Sequence, residues 1–243
     1  GTIKKTKLEA YSNPRKTGII AITLEKSDEL IEAKIIEPAH ELSLITKRGK
    51  AIRFSEEQVR EVGRSARGVR GIRLDKGDEV VSMALVEPKG TLLTVTRLGF
   101  GKRTAIDEYR LQSRGGKGII NIKVTKKNGE VIVAKTVTDR DEIMLISQEG
   151  MVVRCAVKDV RATGRASQGV RLINIKGKDI VASIASVGPH DEEEVGKALE
   201  VAPAAPSEPP PTAPEPPEAP EKPKAAVSAK TKTATKAKPK RKT

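Results

Sequence analysis

The feature that most constrains the fold is an internal repeat of about 50 residues. One glycine series, called here the first glycines, marks predicted hairpin turns and comprises Gly1, Gly49, Gly99 and Gly150. A second series, called the second glycines, precedes Ile or Val and comprises Gly18, Gly68, Gly118 and Gly169. Because both series keep the same phase over four units, we expect similar supersecondary units that bury their apolar faces against one another.

Each repeat unit is predicted to contain four short strands. In the second unit, the runs rich in Val, Ile and Thr and bounded by turn residues are 50–54, 68–74, 80–86 and 92–96. Helical periodicity is weak, apart from a possible single turn at 55–62. Four strands per unit are typical of propeller blades. The sequence therefore predicts an all-β fold, a β-pinwheel or propeller-like array of about four four-stranded blades, at about 1–48, 49–98, 99–149 and 150–187.

Residues 188–243 have a different composition from the repeats. Ten of the 22 residues from Ala202 to Pro223 are proline, and nine Lys or Arg but no acidic residue follow Glu221. Such segments bury too little apolar surface to offset the loss of chain entropy. We predict a disordered tail, first an extended Pro/Ala/Glu-rich spacer and then a Lys-rich end.

Charge and composition exclude several classes of function. The chain has a net charge of +14, and residues 1–187 carry 36 Lys and Arg against 23 Asp and Glu. Its apolar stretches are too short for a membrane-spanning helix, and we expect a cytoplasmic, nucleoid-associated protein without membrane contact. Cys155 is the only cysteine, and we expect it to be a small core residue; His40 and His190 have no predicted role. No catalytic group, metal site or cofactor is expected in this chain.

Basic residues recur at fixed positions of the repeat. Four residues after the first glycines stand Lys5, Arg53, Arg103 and Arg154. Around the second glycines stand Arg15, Arg64, Arg67, Arg70, Arg114, Arg165 and Arg171, and Lys102 precedes Arg103. Ten residues after the first glycines the position is apolar, which predicts buried anchors at Tyr11, Val59, Tyr109 and Val160. A basic rim over buried anchors predicts binding of duplex DNA through its phosphates, with little sequence preference because aromatic residues, Asn and Gln are scarce.

One segment carries a specific resemblance. Gln112-Ser113-Arg114-Gly115-Gly116-Lys117-Gly118 resembles the box motif in the C-terminal domain of the DNA gyrase A subunit, and 28–31, 68–74, 101–104 and 168–173 are also similar to that family. The resemblance covers about residues 1–187. It implies a β-pinwheel of hairpin-exchanged blades that wraps DNA around its outer edge and supports ATP-dependent negative supercoiling. The DNA-binding box residues that it implies are Gln112, Arg114, Gly115, Gly116, Lys117 and Gly118.

The resemblance also carries expectations about the parent protein. The partners that it implies are the gyrase B subunit plus a second A subunit, with ATP and magnesium acting in other regions. The family domain has about six blades after a catalytic region, whereas this chain starts with Gly, inside a blade, and offers about four units. We therefore expect a C-terminal fragment that lacks the catalytic region and the first blades, and neither Tyr11 nor Tyr109 matches the context of the family's catalytic tyrosine. Ser113 replaces a basic position of the box. Gln112–Gly118 is therefore either the working box or a degenerate copy of one that lies upstream.

Two alternatives to a gyrase domain stay open at this point. The first is the C-terminal domain of the topoisomerase IV A subunit, whose repeats are more degenerate. The second is a basic, propeller-like scaffold for protein interactions. A DNA affinity that falls steeply as the salt concentration rises would distinguish both DNA-binding alternatives from the protein-interaction scaffold. A phosphate-binding loop at Gly101-Lys102-Arg103-Thr104 is disfavoured, because the upstream glycine and the Lys-Ser/Thr pair are absent.

Overall fold

A computed structural model describes residues 1–187, which contain thirteen β-strands, four short 3-10 turns and no α-helix. The first six strands are β1 (Thr2–Ile3), β2 (Glu41–Thr46), β3 (Lys50–Ser55), β4 (Val69–Arg70), β5 (Val80–Leu85) and β6 (Thr91–Thr96). The others are β7 (Phe100–Ala105), β8 (Ile119–Ile120), β9 (Val131–Val137), β10 (Glu142–Ser147), β11 (Val152–Ala156), β12 (Val170–Arg171) and β13 (Val181–Val187). The predicted all-β class is confirmed. The predicted disordered tail lies outside the described residues.

The strands form successive sheets of one design. Two four-stranded sheets have the order β5-β2-β3-β8 and β9-β6-β7-β12; a three-stranded sheet has the order β13-β10-β11, and β1 pairs with β4. In each four-stranded sheet the last strand comes from the following repeat unit: Ile119 lies opposite Ala51, and Val170 lies opposite Gly101. We call β4, β8 and β12 the exchanged strands. The blades are thus linked by exchange of strands between units.

The predicted blade boundaries are wrong, although the predicted strands of the second unit are close to the observed ones. The boundaries near 48, 98 and 149 cut the hairpins β2–β3, β6–β7 and β10–β11, whose strands share a sheet. Residues 19–40 contain no strand, so 1–187 hold two four-stranded sheets, one three-stranded sheet and one strand pair, and not four complete blades. The boundaries were misplaced because a sequence repeat gives the spacing of the units but not the residue at which each unit begins. A turn glycine lies in the middle of a hairpin and does not mark its end.

The second glycines are located where an exchanged strand begins. Gly118 has a φ of 69°, and a Cβ atom there would lie 2.6 Å from the carbonyl oxygen of Ala51. Gly169 has a φ of 79°, and a Cβ atom there would lie 2.6 Å from the carbonyl oxygen of Gly101. A side chain would meet both steric overlap and a strained backbone. The exchange between units therefore depends on this glycine.

In each four-stranded sheet the exchanged strand forms one edge, and the opposite edge contacts the neighbouring sheets. At the other edge, β5, β9 and β13 are linked to neighbouring sheets: Ala134 N donates to Ser82 Oγ (3.0 Å), and Val181 N donates to Arg97 O (3.0 Å). The exchanged strands lie at the opposite edge of each sheet, and we call the edge that they form the exchange edge. Of the predicted anchors, Val59, Tyr109 and Val160 are buried and Tyr11 is half-buried.

Candidate nucleic-acid interface

The basic column four residues after the first glycines is occupied by protein partners. Lys5 pairs with Glu56, Arg53 with Glu41, Arg103 with Asp139, and Arg154 with Glu142. The hydrogen bond from the Lys5 ammonium lowers the pKa of the Glu56 carboxyl. Lys5, Arg53 and Arg103 are held inside and between blades, whereas Arg154 is exposed, so this column does not form the continuous exposed rim that we predicted.

Two members of this column also reach into the next unit. Arg53 Nη1 donates to the carbonyl oxygens of Ile106 (3.0 Å) and Tyr109 (3.1 Å). Arg103 Nε donates to Val160 O (2.7 Å), and only 8% of Arg103 is exposed. Satisfying buried carbonyls with a guanidinium is a structural role. The expectation that Arg103 belongs to the DNA-binding surface is therefore corrected, because its donors already have partners and it lies below the surface.

Lys102 is the second correction. Its side chain is fully buried, and Nζ donates to the carbonyl oxygens of Gly164 (2.7 Å) and Arg165 (2.6 Å). Burial lowers the pKa of this ammonium from 10.5 to about 8. Lys4, at the same repeat position, donates to Ala21 O and Arg64 O, and burial also lowers its pKa. Both lysines donate to backbone carbonyls in the loop of the next unit, so neither is placed to contact a phosphate.

The arginines four residues before the second glycines form a repeated link between units. Each donates through Nη1 to a carbonyl two residues after the second glycine of the preceding unit. Arg64 donates to Ile20 O (2.8 Å), Arg114 to Arg70 O, and Arg165 to Ile120 O (3.2 Å). We call this interaction the arginine staple. It explains the column without DNA, because it holds the residues that follow one second glycine against the loop that precedes the next.

The box segment Gln112–Gly118 is one example of this loop, and several hydrogen bonds connect it to the preceding unit. Arg114 donates through its backbone N to Gln58 Oε1 (2.7 Å) and through Nε to Gln58 O (2.9 Å). Gly115 N donates to Gly71 O (2.7 Å), and Gly116 O accepts from Arg73 N (2.8 Å). At the start of the segment, Gln112 N donates to Arg53 O (2.8 Å), and Gln112 O accepts from Gln58 Nε2 (3.4 Å). The segment is therefore an ordered bridge between two units.

Within this bridge, Lys117 and Ser113 are the exposed side chains between Gln112 and Gly118. Lys117 stands one residue before the second glycine, and Arg67 has the same position in the preceding unit. Arg67 forms only an exposed ion pair with Glu25 (3.2 Å). Both cations thus remain accessible to a polyanion.

Other predicted cations are also exposed. Arg70 and Arg171 lie on the exchanged strands β4 and β12, and Arg15 precedes the second glycine of the first unit. Arg171 Nη1 donates to Asn174 Oδ1 (2.9 Å), and its guanidinium lies 5.4 Å from the centre of the Phe100 ring. The predicted site residues that face solvent are Arg15, Arg67, Arg70, Lys117, Arg154 and Arg171, and of these Arg154 is paired with Glu142.

Sequence reasoning missed one column, which we call the free arginines: Arg60, Arg110 and Arg161. Each lies eleven residues after a first glycine and directly after a buried anchor, and each is exposed. Within residues 1–187 none of their side chains has an ion pair or hydrogen bond. The signal was present, because the three positions share one repeat phase, but Ser12 occupies the position in the first unit. Arg73 and Lys123, each five residues after a second glycine, are also exposed, and they were missed because this position is not basic in every unit.

Cysteine chemistry, metal binding and membrane spanning concern few of the described residues. Cys155 is half-buried, and burial raises the pKa of its thiol. Among residues 1–187 there is no group of three side chains that could hold a metal ion. In the same range no helix has the length and apolarity needed to cross a bilayer.

Comparison with known proteins adds an independent line of evidence. The family model described as "DNA gyrase C-terminal domain, beta-propeller" matches residues 1–37, 40–87, 90–138 and 141–187. The second, third and fourth of these segments start just before the hairpins β2–β3, β6–β7 and β10–β11. The DNA gyrase A subunit of Chlamydia pneumoniae is 41% identical over 196 residues, which cover 80% of this chain and 24% of that protein. That of Brachyspira hyodysenteriae is 51% identical over 194 residues, covering 80% and 23%. The chain thus spans about a quarter of the length of these relatives.

Two solved structures are similar as well. The C-terminal domain of DNA topoisomerase IV matches with a TM-score of 0.76 and 28% identity, covering 82% of this chain and 63% of that one. The DNA gyrase A C-terminal domain matches with a TM-score of 0.66 and 30% identity, covering 70% and 58%.

Proposed function

Because the chain belongs to the family of DNA gyrase C-terminal domains, we propose that it binds and wraps duplex DNA along its exchange edge without reading sequence. The observation that carries this proposal is the column of free arginines, which repeats from unit to unit with no protein partner in residues 1–187. Unpaired, exposed cations at a regular spacing suit a polyanion whose charge is itself regular, about one per 1.7 Å of duplex axis.

The exchange edge offers further cations beside the free arginines. Lys117 and Arg67 precede second glycines, and Arg70 and Arg171 lie on exchanged strands. Together with the free arginines they form a discontinuous basic track over the second, third and fourth units. Contacts of this kind position DNA but do not specify bases. Wrapping then depends on whether enough contacts offset the elastic cost of bending the duplex.

In the parent protein, the proposed role is to support ATP-dependent negative supercoiling by a type II topoisomerase. Partners would be the gyrase B subunit plus a second A subunit, while ATP and magnesium would act in regions outside this chain. What supports this extension is similarity to gyrase A subunits of which the chain spans about a quarter.

The decisive experiment measures DNA affinity as a function of salt. For about six to eight engaged phosphates, log K against log salt should have a slope of about −5 to −7. The double variant Arg60→Ala/Arg110→Ala should reduce the magnitude of this slope by about 2. The matched control Lys89→Ala/Arg140→Ala removes two exposed charges from turns that connect successive sheets, and it should leave the slope nearly unchanged. A parent slope near zero, or equal losses in both variants, would contradict the proposal.

A second candidate function is that of a topoisomerase IV C-terminal domain, which the TM-score of 0.76 favours. Closing a relaxed plasmid with a topoisomerase I in the presence of this chain separates binding from wrapping. A linking-number shift supports the proposed wrapping function. Salt-dependent binding without a shift would mean that the chain binds DNA but does not wrap it, which would contradict the wrapping part of the proposal.

A further inference from the structure

The three hairpin turns lie at one end of their sheets, which we call the turn end. They are residues 47–49, 97–99 and 148–150. Each turn is hydrogen-bonded through its backbone to one loop that follows an exchanged strand, and the three loops are 75–79, 125–130 and 176–180. Because the turn end is built alike in three units, its charge can be compared from unit to unit.

In the second unit the lysines at the turn end are paired with carboxylates. Lys47 Nζ lies 2.6 Å from Glu79 Oε1, and Lys50 Nζ lies 2.6 Å from Asp75 Oδ2. Loop 75–79 has three carboxylates and one lysine, a net charge of −2. Most of the positive charge at this end of the second unit is therefore neutralised.

The loops of the third and fourth units have the opposite sign. Loops 125–130 and 176–180 each have two lysines and one carboxylate, a net charge of +1. The carboxylates are engaged elsewhere: Glu130 pairs with Lys47 (3.7 Å), and Asp179 is buried and accepts from two backbone N–H groups. The four lysines are exposed, and within residues 1–187 none of their ammonium groups has a hydrogen bond or an ion pair. Positive charge is thus left unpaired in these two units.

Phe100 has the repeat position of Lys50 and collects two cations. Lys127 Nζ lies 5.7 Å from the ring centre, and the guanidinium carbon of Arg171 lies 5.4 Å from the same point. Thr125 has the repeat position of the carboxylate that pairs with Lys50. The ring attracts both cations, but no carboxylate in the described part of the chain contacts either of them. Two like charges held around one ring are complemented by an anion.

These cations and their neighbours form one exposed group, which we call the turn cluster: Arg97, Lys126, Lys127, Arg171, Lys176 and Lys178. The hairpin turn of the third unit lies among them. Leu98 N of this turn donates to Asn128 O (3.1 Å), and a Cβ atom at Gly99 would lie 3.3 Å from Ile175 Cγ1. Glu149, on the next hairpin turn, is an exposed carboxylate at the same end. Because six cations outnumber it, the turn cluster is a surface of positive potential.

Two observations favour duplex DNA as the partner of the turn cluster. Arg171 lies on β12, so the turn cluster is continuous with the basic track of the exchange edge. Interfaces with proteins are centred on apolar and aromatic anchors, whereas Phe100 is only 7% exposed. We propose that duplex DNA leaves the exchange edge at the fourth unit and crosses the turn end, where the turn cluster binds its phosphates. This path rests on the proposed function and adds a second face to the DNA-binding surface.

The experiment measures how the DNA affinity of the full chain and its variants depends on salt. The duplex has about 60 base pairs, or about 200 Å, so that one molecule can follow both surfaces. Lys127→Ala/Lys176→Ala, the cluster variant, removes two members of the turn cluster. The matched control Lys76→Ala/Lys89→Ala removes two exposed lysines, one from the acidic loop of the second unit and one from a turn that connects two sheets. Circular dichroism confirms that the variants are folded.

The cluster variant should reduce the magnitude of the slope of log K against log salt by about 2, because two phosphate contacts are lost, and the control should leave it nearly unchanged. Arg60→Ala/Arg110→Ala separates this outcome from the proposed function. If that variant reduces the slope and the cluster variant does not, the path over the turn end is overturned, the proposed function stands, and an acidic protein surface becomes the partner of the turn cluster. A parent slope near zero would contradict both. Equal losses in the cluster variant and the control would also overturn the path.

Energy transfer between two labelled duplexes of about 20 base pairs, or about 70 Å, distinguishes one duplex from two. If a single duplex follows both surfaces, the cluster variant should show the same energy transfer as the parent. Energy transfer that the parent shows and the cluster variant loses would mean that a second duplex occupies the turn cluster, and it would overturn the proposed path.

Discussion

Two arginine columns lie seven residues apart in the repeat, and the structure uses them differently. Arg53 and Arg103 donate to carbonyls of the next unit and pair with carboxylates, whereas Arg60 and Arg110 are exposed and have no side-chain partner in residues 1–187. In sequence, both columns carry arginine in the second, third and fourth units. The comparison teaches that recurrence of a cation does not identify a ligand-binding residue. What decides is whether acceptors of the fold surround it.

The largest expected difference is between Arg103→Ala and Arg110→Ala. Arg103→Ala removes the donors to Val160 O and Lys158 O below the surface, and it should lower the free energy of unfolding by about 3 kcal/mol. Arg110→Ala should change it by less than about 0.5 kcal/mol. Chemical denaturation measures both. Similar losses would show that the two columns do not differ in their structural role.

Lys102→Met should have the next largest effect. At neutral pH it leaves the carbonyls of Gly164 and Arg165 without their donor, which should lower the free energy of unfolding by about 2 kcal/mol.

The pH dependence of the same variant gives a separate check. The Lys102 pKa is about 8 in the folded protein and near 10.5 when exposed, so the unfolded chain binds more protons between these values. Stability of the parent should therefore rise with pH relative to Lys102→Met, by up to about 3 kcal/mol over this range. Denaturation of both proteins between pH 7 and about 10 tests it, and a constant difference would mean that the pKa is not lowered.

Within the box, Arg114→Ala and Lys117→Ala should separate the two roles on a smaller scale. Arg114→Ala loses the staple to Arg70 O and the bond to Gln58 O, and it should lower the free energy of unfolding by about 1 kcal/mol. Lys117→Ala should leave stability unchanged but reduce the magnitude of the salt slope of DNA binding by about 0.9. Denaturation and salt titration of both variants are needed. If Arg114→Ala alone altered the salt slope, Arg114 would belong to the DNA-contacting set.

A small effect on stability is also expected at Arg154, which occupies the column of Arg103. Its ion pair with Glu142 is exposed, with 53% of the Arg154 side chain accessible. Exposed ion pairs contribute between 0 and about 1 kcal/mol, so Arg154→Ala should lower the free energy of unfolding by less than about 1 kcal/mol. A loss as large as that of Arg103→Ala would mean that repeat position, and not burial, sets the role.

Much of the fold could be predicted from the sequence. The glycine periods and the Val/Ile/Thr runs gave the strand positions of the second unit to within a few residues, and anchors such as Tyr109 and Val160 are buried as expected. The blade boundaries were wrong, because pairing across Gly49 is a property of the sheet and not of the period. The absence of strands from residues 19–36 was not predicted either, because this segment has a composition typical of strands but pairs with no sheet in the described part of the chain.

The sequence by itself determined that this protein repeats, that the repeats are β-structured, and that glycines must recur where strands cross between units. These properties are local, because they follow from side-chain patterns and from the backbone freedom of glycine. The tertiary structure alone decided which cations are structural. Lys102 and Arg103 are buried because carbonyls about 60 residues away in sequence meet them, whereas no acceptor in residues 1–187 reaches Arg110. Such long-range contacts depend on how units exchange strands, and no single unit encodes them.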